Sequence, residues 1–171
     1  MAGIGTTGSH LDTGSAVRNG IIGGLIGGVV FGIGMQMMVA PTPEGMQMPM
    51  MGMVAKIVKS DSLLVGWIYH LFNSAVIGAI FGWLLGGRIT GYGPGLGWGA
   101  VYGVFWWVLG GLILMPVLLG MPAFAPLMMP MMRMVGMGSL VGHLMFGLIL
   151  GAVFVWLTER TREPAGAARV A

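Results

Sequence analysis

One stretch of this chain is written twice. The run His70-Leu71-Phe72-Asn73-Ser74-Ala75-Val76-Ile77-Gly78-Ala79-Ile80-Phe81-Gly82-Trp83 returns 73 residues later as His143-Leu144-Met145-Phe146-Gly147-Leu148-Ile149-Leu150-Gly151-Ala152-Val153-Phe154-Val155-Trp156. His, Leu, Gly, Ala, Phe and Trp stay in register, and most other positions exchange one apolar residue for another. Self-similarity at a fixed period marks a repeated structural unit. Both copies lie inside long apolar runs, so the unit reads as membrane-spanning, and each copy carries one histidine into its span.

Composition says what the unit is dissolved in. Of 171 residues, 56% are hydrophobic and 8% charged. A soluble domain carries about 25% charged residues. This chain cannot dress a water-facing surface, and lipid is the expected solvent. Crossing the hydrocarbon core takes roughly 20 apolar residues. Four segments qualify, at 20–40, 62–86, 96–119 and 139–157. They group as a polar N-terminal tail (1–16), one four-helix domain (17–157, with repeats at 17–87 and 91–157) and a polar C-terminal tail (158–171). The connectors repeat as well: Pro49-Met50-Met51-Gly52-Met53-Val54 matches Pro130-Met131-Met132-Arg133-Met134-Val135. Pro41 and Pro116 stand where the first span of each unit should stop. The expected fold is all-α and integral to the membrane: four transmembrane helices forming two helical hairpins. Short interfacial or re-entrant Met-rich helices fill the connectors. Two spans return the chain to its starting side, so the copies run parallel about an axis along the membrane normal.

The first 16 residues lack the basic start of a secretory signal, and the first apolar run has full membrane length, so it reads as a retained span. The tails and the middle loop carry Arg18, Arg88, Arg160, Arg162 and Arg169, against Lys56, Lys59 and Arg133 in the connectors. Basic residues concentrate on the cytoplasmic side, which places both termini there. The net charge of +3 is too small to be a nucleic-acid footprint. No cysteine is present, which removes disulfides, Fe–S clusters and thiolate metal sites.

Glycine has 33 occurrences and a pattern. Gly20, Gly24, Gly28 and Gly32 recur every fourth residue on the first span, as do Gly91, Gly95, Gly99 and Gly103 into the third. Ser74, Gly78 and Gly82 line the second span, and Gly147 and Gly151 the fourth. Small residues at this spacing let helix backbones approach closely in lipid. A second stripe, Gly23 and Gly27, widens the small face of the first span and points to a contact outside the chain.

An ionisable residue inside a span is costly and marks a candidate site. His70 and His143 are therefore the leading cofactor ligands. Their plain alternative is a neutral imidazole bonded across a helix seam, to Ser74, Asn73, Tyr69 or a connector carbonyl. The chemical alternatives are two axial ligands for a haem, one ligand for a chlorophyll magnesium, or a copper(I) site shared with methionine thioethers. His10 lies in a polar tail and reads as solvated. For copper, Met48, Met50, Met131 and Met134 are the candidate thioethers. The competing reading of the 18 methionines is compliant apolar filling that docks a partner or a quinone tail. Met46, Met50, Met53, Val54, Ile57 and Val58 fall on one helical stripe, which describes a short amphipathic helix. Paired Trp106 and Trp107 fall in mid-span, where Gly110-Gly111 can unwind the helix locally.

No carboxylate falls inside a span, and no phosphate loop, dinucleotide fingerprint, zinc-protease motif or nucleophile elbow occurs. Catalysis is not expected. The stretches Val65-Gly66-Trp67-Ile68-Tyr69-His70-Leu71, Tyr102-Gly103-Val104-Phe105-Trp106-Trp107-Val108-Leu109-Gly110 and Leu114-Met115-Pro116 resemble small uncharacterised four-span membrane proteins of bacteria and archaea. The resemblance runs from about Gly20 to Trp156 and implies a fold and a prokaryotic cytoplasmic membrane, with no activity. The expected role is a non-catalytic accessory or structural subunit of a larger membrane complex, with an energy-converting complex among the candidates. Its partners are lipid and other membrane subunits or copies of itself. A cofactor protein using His70 and His143, or a small channel or transporter, are the alternatives.

Overall fold

A computed structural model describes residues 11–41 and 45–167, with 162–167 as backbone only. His10, Glu44 and Arg169 lie outside the described residues, as does the Arg162 side chain. The chain runs α1 (Thr13–Met37), β1 (Val39–Pro41), β2 (Gln47–Pro49), α2 (Met50–Ile57), α3 (Leu63–Leu85), α4 (Tyr92–Trp106), α5 (Met115–Leu118), α6 (Ala125–Met128) and α7 (Arg133–Ala167). A π-helical segment, Trp107–Leu114, joins α4 to α5. Among the described residues, four helical stretches are long and apolar enough to cross a membrane: Thr13–Met37, Leu63–Arg88, Tyr92–Leu118 and Pro130–Thr161.

The glycines lie where backbones meet. A Cβ on Gly20 would fall inside the Gly78 carbonyl, one on Gly24 inside the Ser74 carbonyl, and one on Gly28 against the Ser74 side chain. Gly82 bears on the Ala16 carbonyl, and Gly32 lies under the Trp67 indole. These contacts zip α1 to α3. Between α4 and α7 the steps are Gly95 on Gly151 and Val155, Gly99 on Gly147, and Gly103 on His143. Without Cβ atoms the helices gain van der Waals contact along the whole seam.

A third seam joins α1 to α7, and Gly23 and Gly27 make it. A methyl on Gly23 would stand 3.0 Å from the Leu150 carbonyl oxygen, and one on Gly27 3.0 Å from that of Phe146. The outside contact expected of this stripe is therefore corrected: the stripe is used within the chain. Buried Asn19 donates to Thr158 Oγ1 at 3.2 Å across the same seam. Thr158 thus belongs to the packed helix rather than to a tail beginning at 158, because α7 continues past it. Sliding Gly20 onto Gly95 aligns Gly23 with Trp98 and Gly27 with Tyr102. α4 thus carries bulk where α1 carries glycine, and it meets α3 through a Tyr102 hydroxyl that donates to the Ile77 carbonyl at 2.7 Å. Phe81 and Phe154, which occupy matching places in the duplicated run, meet edge to face with centroids 5.7 Å apart.

The chain departs from the expected pattern at two breaks. Pro116 does not end its helix; α5 runs through it to Leu118. Proline lacks an N–H and crowds the carbonyl four residues back. Here that carbonyl belongs to Leu112, at the end of the π-helical segment, and it accepts instead from the Phe124 amide at 2.6 Å. The first connector holds a small antiparallel β-hairpin, with Val39 opposite Pro49 and Ala40 opposite Met48, that no residue pattern announced. Met46 is outside α2 and exposed, whereas Met50 through Ala55 are all buried. The half-immersed stripe expected there is thus replaced by a helix covered on most sides, packed where Gly66 meets the Met51 carbonyl.

Candidate binding site

His70 and His143 face the interior from α3 and α7, with Phe31 of α1 between them. The Phe31 ring stands edge-on to both imidazoles, at centroid distances of 5.7 Å to His70 and 4.7 Å to His143. The two imidazoles are held differently. His70 Nε2 bonds the Gly28 carbonyl of α1 at 2.9 Å, so this histidine bridges two helices. His143 Nδ1 bonds the Ser139 carbonyl of its own helix at 2.7 Å. Gly103, the seam counterpart of Gly28, packs against the His143 backbone carbonyl. Ser74, one turn beyond His70, donates to the His70 carbonyl at 2.8 Å.

This arrangement does not fit a haem gripped by both imidazoles. The iron would need to stand about 2 Å from a nitrogen of each ring, and the Phe31 side chain fills the space between them.

Two cavities flank Phe31 and His143. One, of about 280 Å³, lies between α3 and the α4–α5 stretch and is lined by His70, Asn73, Ser74, Tyr69, Trp106 and Phe146, among others. The Trp106 Nε1–H is buried there and closes no hydrogen bond, although the Tyr102 hydroxyl is its neighbour. The other, of about 370 Å³, lies between α1, α2, α5 and α7; eight methionines line it, including Met35, Met50, Met53 and Met115. Phe31, Met35, Gly111, Met115 and His143 line both. The π-helical segment brings Gly111 to the shared wall, where a Cβ would stand 3.3 Å from His143 Cε1. Single π-helical turns of this kind are frequent at functional sites.

The methionines singled out for copper are not brought together. Met50 is buried on the methionine cavity, while Met131 and Met134 are 66% and 84% exposed. Met48 sits in β2, with its sulfur near Gly52. Met48, Met50, Met131 and Met134 thus differ in burial and do not line one common cavity. Among the described residues no group of three or more His, Asp or Glu side chains converges. Sequence reasoning missed Phe31, Asn19 and the inward methionines Met35 and Met115. Asn19 carried a signal, since it is a lone amide beside the glycine stripe. Phe31 carried none, because one phenylalanine in an apolar run is indistinguishable from its neighbours.

Comparison with protein-family models, with curated proteins and with solved structures finds no match to this chain.

Proposed function

We propose that this protein is a non-catalytic, multi-pass subunit of a prokaryotic cytoplasmic membrane, built from two parallel copies of a helical hairpin, that docks on a larger membrane assembly. The observation that carries this reading is the contrast between the two connectors. In the first, Met50, Met51 and Met53 are buried. In the second, Met128, Met131, Met134 and Met137 are 68%, 66%, 84% and 56% exposed on one short stretch. Flexible, polarizable thioether side chains suit an interface that adapts to its partner. Copper coordination by these four would need a donor cluster that their outward orientation does not supply. Most stripe glycines are engaged within the chain, and the second connector presents the densest group of exposed methionines. The hairpin order and the parallel relation of the copies are supported by the equal steps of Gly20, Gly24 and Gly28 on α3 and of Gly95, Gly99 and Gly103 on α7.

A photo-crosslinking residue placed at Met131 or Met134 in native membranes tests the reading. One discrete protein adduct is expected at both positions, with none from a crosslinker at Val101, on the exposed face of α4. Adducts with lipid only, or release of the chain as a stable free monomer under mild solubilisation, would overturn it.

A further inference from the structure

We propose that the paired cavities form one site for a neutral, flat-headed amphiphile of the prenylated quinone class, with its ring between α3 and the π-helical segment and its tail among the methionines. The cavities adjoin at Phe31, Met35, Gly111, Met115 and His143, which line both, so a ligand lying across these residues would reach from one into the other. Their volumes, about 280 and 370 Å³, each approach or enter the roughly 300–1,000 Å³ range of small-molecule sites.

The two chambers differ in chemistry. No Lys, Arg, Asp or Glu lines either, which disfavours a charged headgroup. The smaller one offers rings on which a planar head can lie (Phe31, Tyr69, Trp106) and the Asn73 amide as a hydrogen-bond donor for a carbonyl oxygen. The larger has only Ser139 and His143 as polar side chains among its methionines and other apolar residues, a compliant lining for a branched hydrocarbon tail. Access comes from the lipid side. Val76 and Leu114 at the rim of the ring chamber, and Val141 at that of the tail chamber, are 42%, 44% and 64% exposed on the outer surface. Beside the gap, α4 carries Trp98 and Tyr102 where α1 carries Gly23 and Gly27. Binding alone is proposed, with no electron transfer.

The test uses the full chain in detergent and a geranyl-tailed naphthoquinone as probe, read by quenching of tryptophan fluorescence. Saturable quenching is expected. Two variants fill the chambers where the backbone leaves room: Gly34→Phe in the tail chamber, where a Cβ meets nothing within 4 Å, and Gly110→Phe in the ring chamber, where it meets only a Trp106 ring carbon at 3.9 Å. Each should weaken binding about tenfold or more, equivalent to about 1.4 kcal/mol, while thermal unfolding stays within a few degrees of the parent. Asn73→Leu should weaken the quinone but not geraniol, which has the tail without the ring. Quenching that never saturates, binding by Gly34→Phe and Gly110→Phe as tight as the parent's, or displacement by diacylglycerol as effective as by unlabelled quinone would each overturn the proposal. Its outcome is independent of the crosslinking result, because neither Met131 nor Met134 lines a cavity.

Discussion

At the scale of single residues, glycine is the most exacting part of this chain. Gly20 lies so close to Gly78 that any side chain must push two backbones apart. Gly97 sits two residues beyond a seam position, yet a Cβ there meets nothing within 4 Å. Gly20→Leu is therefore expected to cost about 3 kcal/mol, the upper part of the usual overpacking range. Gly97→Leu should stay within about 0.5 kcal/mol. Thermal unfolding of the two variants in one detergent separates them. Asp12 gives a second residue-level expectation. Its carboxylate caps α1 by accepting from the Ser15 amide at 3.0 Å. Hydrogen bonds from Ser15, side chain first and backbone second, hold its pKa below the usual 3.8. A depressed folded-state value means that the cap stabilises fully above the unfolded pKa and is lost as pH falls through the folded one. The stability gap between the parent and Asp12→Ala should accordingly be constant from neutral pH down to about 4 and shrink below it. A gap unchanged at pH 2 would assign the cap to something other than the ionised carboxylate.

Among elements, the question is why one pair of helices closes and its counterpart does not. The fourfold glycine spacing was legible in the sequence, because small residues at one position per turn have few other uses in an apolar helix. Which partner each stripe takes was not, since spacing fixes a face and says nothing of what lies opposite. The choice turns on Gly23 and Gly27 in α1 against Trp98 and Tyr102 in α4, a difference visible only once the first spans of the two units are laid over each other at Gly20 and Gly95. Gly27→Tyr should force α1 from α7 by crowding Phe146 and cost about 2–3 kcal/mol. Tyr102→Phe, which loses one interhelical hydrogen bond, should cost about 0.6 kcal/mol, the typical value for such bonds in lipid. Equal costs from the two would show that bulk at these positions does not set the asymmetry. The π-helical segment was half legible: Gly110-Gly111 and Pro116 marked a weak stretch, while the Phe124 amide that satisfies Leu112 arrives from a connector with no pattern of its own.

For the molecule as a whole, the duplicated histidine run led to four long apolar helices, and the described residues hold four. It did not lead to the site, because repetition suggests two equal imidazoles and the fold makes them unequal: one bridges helices, one bonds its own turn, and Phe31 separates them. Both the cavity site and the docking surface depend on the two hairpins sitting in lipid with the same sense. Because the chain contains no cysteine, single cysteines report topology without background. The most direct measurement places one at Met46, Gly91 or Met129 in turn and labels intact cells with a membrane-impermeant maleimide. Met46 and Met129, one in each Met-rich connector, should label from outside, and Gly91, between the hairpins, only after the cells are opened. Labelling of Met46 and Met129 from opposite sides of the membrane would contradict the parallel arrangement and everything built on it.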